Sequence, residues 1–158
     1  MKIMTTRFGE IEVNDEKLLH FPEGIIGFHS LKRFVLLGKE SRLVMWLQSI
    51  DNPKVAFIVV NPFLFEPNYN PKLTQEDMDF LKVKDSSDLH ILAIVVVPED
   101  PQKMTANLLG PIVVNTKGKV GKQVILLEGK YSVKSPIVKD VEKTASVKEM
   151  VRDRKSVV

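Results

Sequence analysis

Three histidines, His20, His29 and His90, are the side chains in this sequence best suited to hold a metal or to move a proton near neutral pH. They share neither the HxH nor the HExxH spacing that would bring two imidazoles onto one ion. His90 alternates with apolar neighbours, as a histidine in a strand does. The run Lys117-Gly118-Lys119-Val120-Gly121-Lys122 is rich in glycine and lysine but lacks the GxxxxGK[ST] spacing that wraps a phosphate, so it reads as an exposed hairpin turn. No GxSxG elbow is present. Acid pairs such as Asp77 and Asp79, or Glu99 and Asp100, have polar flanks that leave both members solvated, whereas a working pair needs one desolvated carboxyl. With no cysteine in the chain, thiol chemistry and disulfides are excluded. The expectation is a protein that is not an enzyme and carries no metal, flavin or nucleotide. Recognition is the chemistry that remains.

Two segments suit recognition. Asn61 to Pro71 packs three prolines and three aromatics into an irregular connection. Prolines restrict the unbound backbone, so less entropy is lost on contact, and Phe and Tyr are common interface anchors. Phe65, Glu66 and Tyr69 are expected at a partner contact, because strand alternation has ended before them. Phe63 is open to two placements, under the sheet or at the contact. The second segment, Glu76 to Asp100, holds seven acidic groups against Lys82 and Lys84. Glu76, Asp77 and Asp79 are expected to present a negative face that a partner reads electrostatically. The kink at Gly110-Pro111 makes Pro111 a further contact candidate.

The charge balance does not favour nucleic acid, despite a pI near 9.0. Lys103 to Lys134 holds six lysines but one aromatic and no arginine, not the interleaved basic and stacking face of a nucleic-acid binder. Residues 1–138 carry a net charge of only +1, and 139–158 a net +2.

The elements that must position these groups are short strands. Val44-Met45-Trp46-Leu47 and Ala56 to Val60 flank the polar turn Asp51-Asn52-Pro53-Lys54 and predict a hairpin, stopped at Asn61-Pro62 because proline cannot donate to the ladder. Further strands are predicted within Thr5 to Val13 about Gly9, and at Lys17 to Phe21, Phe34 to Leu37 and Ser87 to Val97. Three more are predicted at Thr105 to Leu109, Ile112 to Asn115 and Gln123 to Leu127. Thr74-Gln75-Glu76-Asp77 resembles a capping box opening a short helix. Asp140 to Lys155 reads as a marginal helix or a frayed tail. Trp46, Phe57, Ile58, Leu92, Ile94, Leu108 and Ile125 are expected in the core.

At 158 residues, 44% hydrophobic and 27% charged, the chain suits one domain over 1–138 with a charged tail over 139–158. The start, MKIMTTRFGEIEV, alternates as a strand rather than as a signal peptide, and Ile91 to Val97 falls short of the ~20 residues that span a bilayer. A cytoplasmic monomer is the expectation. The pattern predicts an all-β barrel or sandwich with one short helix.

Beyond the hairpin, Phe21-Pro22-Glu23-Gly24-Ile25-Ile26-Gly27-Phe28 is similar to an FPxGxxGF element and Asn107 to Asn115 to an NLxxPxxxN element. Gln123-Val124-Ile125-Leu126 with Tyr131 is similar to a family's last strands. In this order, from about Arg7 to about Tyr131, they resemble the flagellar assembly factor family FliW. Nothing after Val138 takes part in the resemblance. The family implies a compact antiparallel barrel that binds flagellin and the RNA-binding translational regulator CsrA. Flagellin occupies the factor until its export, and the freed factor then antagonises CsrA so that flagellin translation follows assembly. Two other readings stand beside it: a flavin-binding split-barrel enzyme, from barrel topology, and a small RNA-binding barrel, from pI.

Overall fold

The turn at Asp51-Asn52-Pro53 is held from inside. The amide of Gln48, fully buried, donates to the carbonyls of Ser49 (2.9 Å), Pro53 (3.3 Å) and Val55 (3.2 Å). This joins the strands β5 (Val44–Ser49) and β6 (Ala56–Val60), paired antiparallel with Trp46 opposite Ile58. The chain is described by a computed structural model over residues 1–38, 44–127 and 129–137. The tail expected over 139–158 lies outside the described residues.

Around the hairpin stand β3 (Leu18–His20), β4 (Arg33–Leu37), β7 (Leu89–Val96), β9 (Ile112–Asn115) and β10 (Val120–Gln123). The order β3-β4-β5-β6-β7-β9-β10 returns to β3 and closes a seven-stranded barrel. All of these pairings are antiparallel except the last. β10 meets β3 in parallel at Val120 opposite His20, where His20 N–H donates to Lys119 O at 2.9 Å. β1 (Lys2–Thr5) and β2 (Gly9–Glu12) form a separate hairpin whose Gly9 has φ +67°. That hairpin covers Trp46, with the Arg7 guanidinium 3.8 Å above the indole and the Phe8 ring edge-on at 5.8 Å. β8 (Thr105–Ala106) and β11 (Ser135–Pro136) extend the sheet beside β7. The single α-helix among the described residues, α1, spans Gln75–Phe80. No helix among them is long and apolar enough to cross a membrane.

Side-chain alternation sorts the strands into two cores. Phe21, Phe34, Met45, Leu47, Val59 and Leu92 fill the barrel. Val44, Val60, Ala93, Val95 and Val113 face outward into a second core, closed by Phe65, Tyr69, Leu81, Met104 and Leu126. Four neighbouring strands are therefore apolar on both faces and read as continuous apolar runs. At β10 the barrel interior is so tight that a Cβ on Gly121 would meet the Phe21 ring at 2.5 Å.

Several boundaries differ from expectation. The strand at Thr105 ends at Ala106, because Asn107 Oδ1 accepts from Gly110 N–H (2.8 Å) and turns the chain. The last barrel strand is Val120–Gln123, not Gln123 to Leu127. Its hairpin partner reaches Pro111, which has no N–H, so the two-way ladder stops there. Val124 and Leu126 still donate to the carbonyls of Pro111 and Leu109, both at 2.9 Å. Of the expected core residues, Trp46, Leu92 and Leu108 are buried, and Phe57, Ile58 and Ile94 are half-buried against the two cores. Ile125 is not a core residue: it is 49% exposed, because it lies past the end of the ladder.

Candidate protein-binding site

The connection after β6 begins with Asn61, whose Oδ1 accepts from Phe63 N–H at 3.0 Å and opens a 3-10 turn over Pro62–Leu64. That turn rolls Phe65 inward and leaves Phe63 39% and Leu64 48% exposed. Phe65 (6% exposed) and Tyr69 (4%) belong to the outer core, a correction to their expected place at a contact. The cause is that the loop folds over the apolar outer faces of β6 and β7. The Tyr69 hydroxyl donates to Leu108 O at 2.7 Å, which satisfies the polar end of a buried ring. Burial pushes this hydroxyl far above the usual tyrosine range, with the nearby Tyr131 adding to it, so Tyr69 is a neutral donor. Tyr131 stands edge-on to Tyr69 at 4.8 Å, and its hydroxyl accepts from Asn70 N–H at 2.9 Å. Glu66 is half-buried, at the loop's rim.

On α1, Thr74 and Asp77 form the expected capping box. Asp77 N–H donates to Thr74 Oγ1, and Thr74 N–H to Asp77 Oδ2, both at 3.1 Å. Asp77 is buried, and its Oδ1 accepts from Lys122 Nζ at 2.8 Å. Burial raises its pKa, but the hydrogen bonds from Lys122 and Thr74 outweigh that and hold the carboxyl below 3.8. Asp77 therefore pins the helix to β10 and is not a free member of an acidic face. Glu76 and Asp79 are exposed, and Asp79 Oδ1 accepts from Gln75 Nε2 at 2.9 Å. Pro111 is buried, so its ring is not offered to a partner. Of the seven expected contact residues, only Glu76 and Asp79 are exposed.

The exposed apolar groups lie elsewhere. Phe63 and Asn61, with Met78 of α1 and Leu89, His90 and Ile91 of β7, line an open groove of about 610 Å³. Met78 and the exposed acids thus share one short helix. Loop composition marked this region, but it did not indicate which aromatic turned outward. The 3-10 turn set by Asn61 decided that, and an Asx-Pro pair at a strand end is the signal that could have found it. Among the described residues, no three His, Asp or Glu side chains converge as a metal site.

Comparison with known proteins agrees with this architecture. The sequence model of the family described as FliW protein matches residues 2–137. A flagellar assembly factor FliW from Caldanaerobacter subterraneus subsp. tengcongensis is 42% identical over 148 residues, 92% of this chain and 99% of that protein. One from Alkaliphilus metalliredigens is 39% identical over 145 residues, 90% of each chain. A crystal structure of the flagellar assembly factor FliW superposes with a TM-score of 0.83 at 34% identity, covering 89% of this chain and 99% of that one.

Proposed function

The chain belongs to the FliW family of flagellar assembly factors, and from that premise we propose that it works by binding proteins, without catalysis or cofactor, as a monomer in the cytoplasm. Its partners are flagellin and the translational regulator CsrA. Release from flagellin frees it to antagonise CsrA and so couples flagellin synthesis to assembly. The observation that carries the reading is the exposed pair Glu76 and Asp79 on α1, beside the apolar groove of Phe63 and Met78. An apolar patch supplies contact area. Flanking acids held near the regulator's basic, RNA-binding surface disfavour RNA by like-charge juxtaposition.

The test is a double charge reversal, Glu76→Lys with Asp79→Lys, which leaves Asp77 and its cap in place. Binding of CsrA, followed by calorimetry, is expected to weaken by less than about tenfold, while inhibition of CsrA–RNA binding falls by more than that. Equal loss of both would assign the inhibition to steric occlusion instead.

A further inference from the structure

We propose that the chain from Gln123 to Leu127 is a strand-addition site, which takes an extended peptide with aliphatic residues at alternate positions and a lysine or arginine at the end beside Gln123. In an extended chain, successive N–H groups point to opposite sides. Val124 and Leu126 donate to Pro111 and Leu109, so Ile125 between them directs its N–H the other way, and Leu127 stands at the bend that follows. Among the described residues, neither Ile125 nor Leu127 has a hydrogen-bond partner for its N–H or its C=O. Their side chains are 49% and 88% exposed, and Leu127 is the most exposed large hydrophobic in the described chain.

Proteins ordinarily guard such an edge with proline or charge. The β11 edge has Pro136, and the β1–β2 hairpin carries Lys2, Glu10 and Glu12. Gln123-Val124-Ile125-Leu126-Leu127 has neither. The open length arises at the barrel seam. β3 ends at His20, and the following loop reaches β10 through its Ile26 N–H, which donates to Gln123 Oε1 at 2.9 Å. Among the described residues no strand continues past that point.

Beside the edge lies a recess of about 190 Å³, lined by Leu73, Thr74, Asp77 and Tyr131 together with Ile125 and Leu127. The charge around Lys122, which precedes Gln123, sets one end of the ligand. Lys122 meets Asp77 at 2.8 Å and Glu23 at 3.9 Å and lies within the field of Glu76. Around Lys122, next to the start of the edge, three carboxylates face one ammonium group, and a basic residue at that end of the peptide complements them.

The test titrates the isotope-labelled full chain with the capped peptide Lys-Val-Thr-Val-Thr-Val-Lys. Strand addition shifts the backbone amide signals of Ile125 and Leu127 and slows their exchange with solvent about tenfold or more. Two N-methylated peptides then separate backbone pairing from a greasy contact. Methylation on the valine nitrogens and on the threonine nitrogens must differ about tenfold or more in affinity, because only one set of N–H groups faces the edge. Equal affinities would overturn the proposal, as would no binding of the parent peptide at about 1 mM. The variant Ile125→Pro removes one edge N–H and no existing bond. It should lose the peptide and keep its melt, and retained binding in a folded Ile125→Pro chain would also overturn the proposal. Should that variant fail to fold, the N-methyl pair decides. Concentration-dependent shifts at Ile125 and Leu127 without peptide, with a dimer in sedimentation, would assign the edge to a second copy of the chain and overturn a peptide occupant.

Discussion

Two stretches of this chain invert what their composition suggests. Asn61 to Pro71 is irregular and rich in proline and aromatics, yet it buries Phe65 and Tyr69 to 6% and 4% exposure. Val124 to Leu127 is unbroken aliphatic sequence, yet it leaves Leu127 88% exposed. The difference is in the backbone hydrogen bonds. The loop lies across a wall whose outer face is apolar, and its one buried polar group finds Leu108 O at 2.7 Å. The aliphatic run pairs on one side only, through Val124 and Leu126 to Pro111 and Leu109, and on the other side β3 ends at His20, so that side is left open among the described residues. Burial follows what the backbone can pair with, and hydrophobicity alone does not fix it.

The largest expected effect tests the first half of this contrast. Truncating Tyr69 or Phe65 to Ala removes a core aromatic and should cost about 3–5 kcal/mol in urea unfolding. A melt that survived either change would return these rings to the surface and break the comparison. The second half is read from adjacent leucines. Leu126→Ala should cost about 2–5 kcal/mol, whereas Leu127→Ala should stay within about 0.5 kcal/mol. Equal costs would place both side chains in the same environment.

A smaller effect sharpens the link between the two regions, since Asp77 of α1 holds Lys122 of β10 at 2.8 Å. The folded Asp77 carboxyl titrates below 3.8, so its contribution is fully present above that pH and is lost as pH falls through the lower, folded value. The hydrogen bond from Asp77 raises Lys122 above 10.5 despite partial burial, so that contribution is lost only as pH rises past 10.5. Thermal melts of Asp77→Asn should therefore lie below those of the parent chain through the neutral range and converge with them only as pH falls through the lowered Asp77 value. A constant offset at every pH would mean that the pair contributes no proton-linked stability.

Much of the barrel was legible because its signals are local. The β5–β6 hairpin, the Thr74 cap and the stop at Pro62 each follow from a few neighbouring residues. The site was less legible because its exposure depends on distant contacts. Tyr69 is buried through Leu108 and Tyr131, which are remote in sequence. Asp77 is withdrawn from the acidic face by Lys122, on another strand. Ile125 carries the alternation of a strand, but whether it enters a core depends on what covers it, and β3, on its far side, ends at His20. Glu76 and Asp79 are exposed, as expected, because among the described residues the one side-chain hydrogen bond to either is local, from Gln75 to Asp79.

The contact between Gly121 and Phe21 ties the two positions into a single unit of inheritance. The ring occupies the volume that any larger residue at 121 would need, with only 2.5 Å to the position of a Cβ. Phe21 in turn stacks edge-on against Phe34 at 5.2 Å inside the barrel, so it has no vacant space to retreat into. A lineage can enlarge residue 121 only after the ring at 21 has shrunk, and shrinking it first opens a cavity in the barrel. Either single step lowers stability, so the pair is confined to change together or not at all.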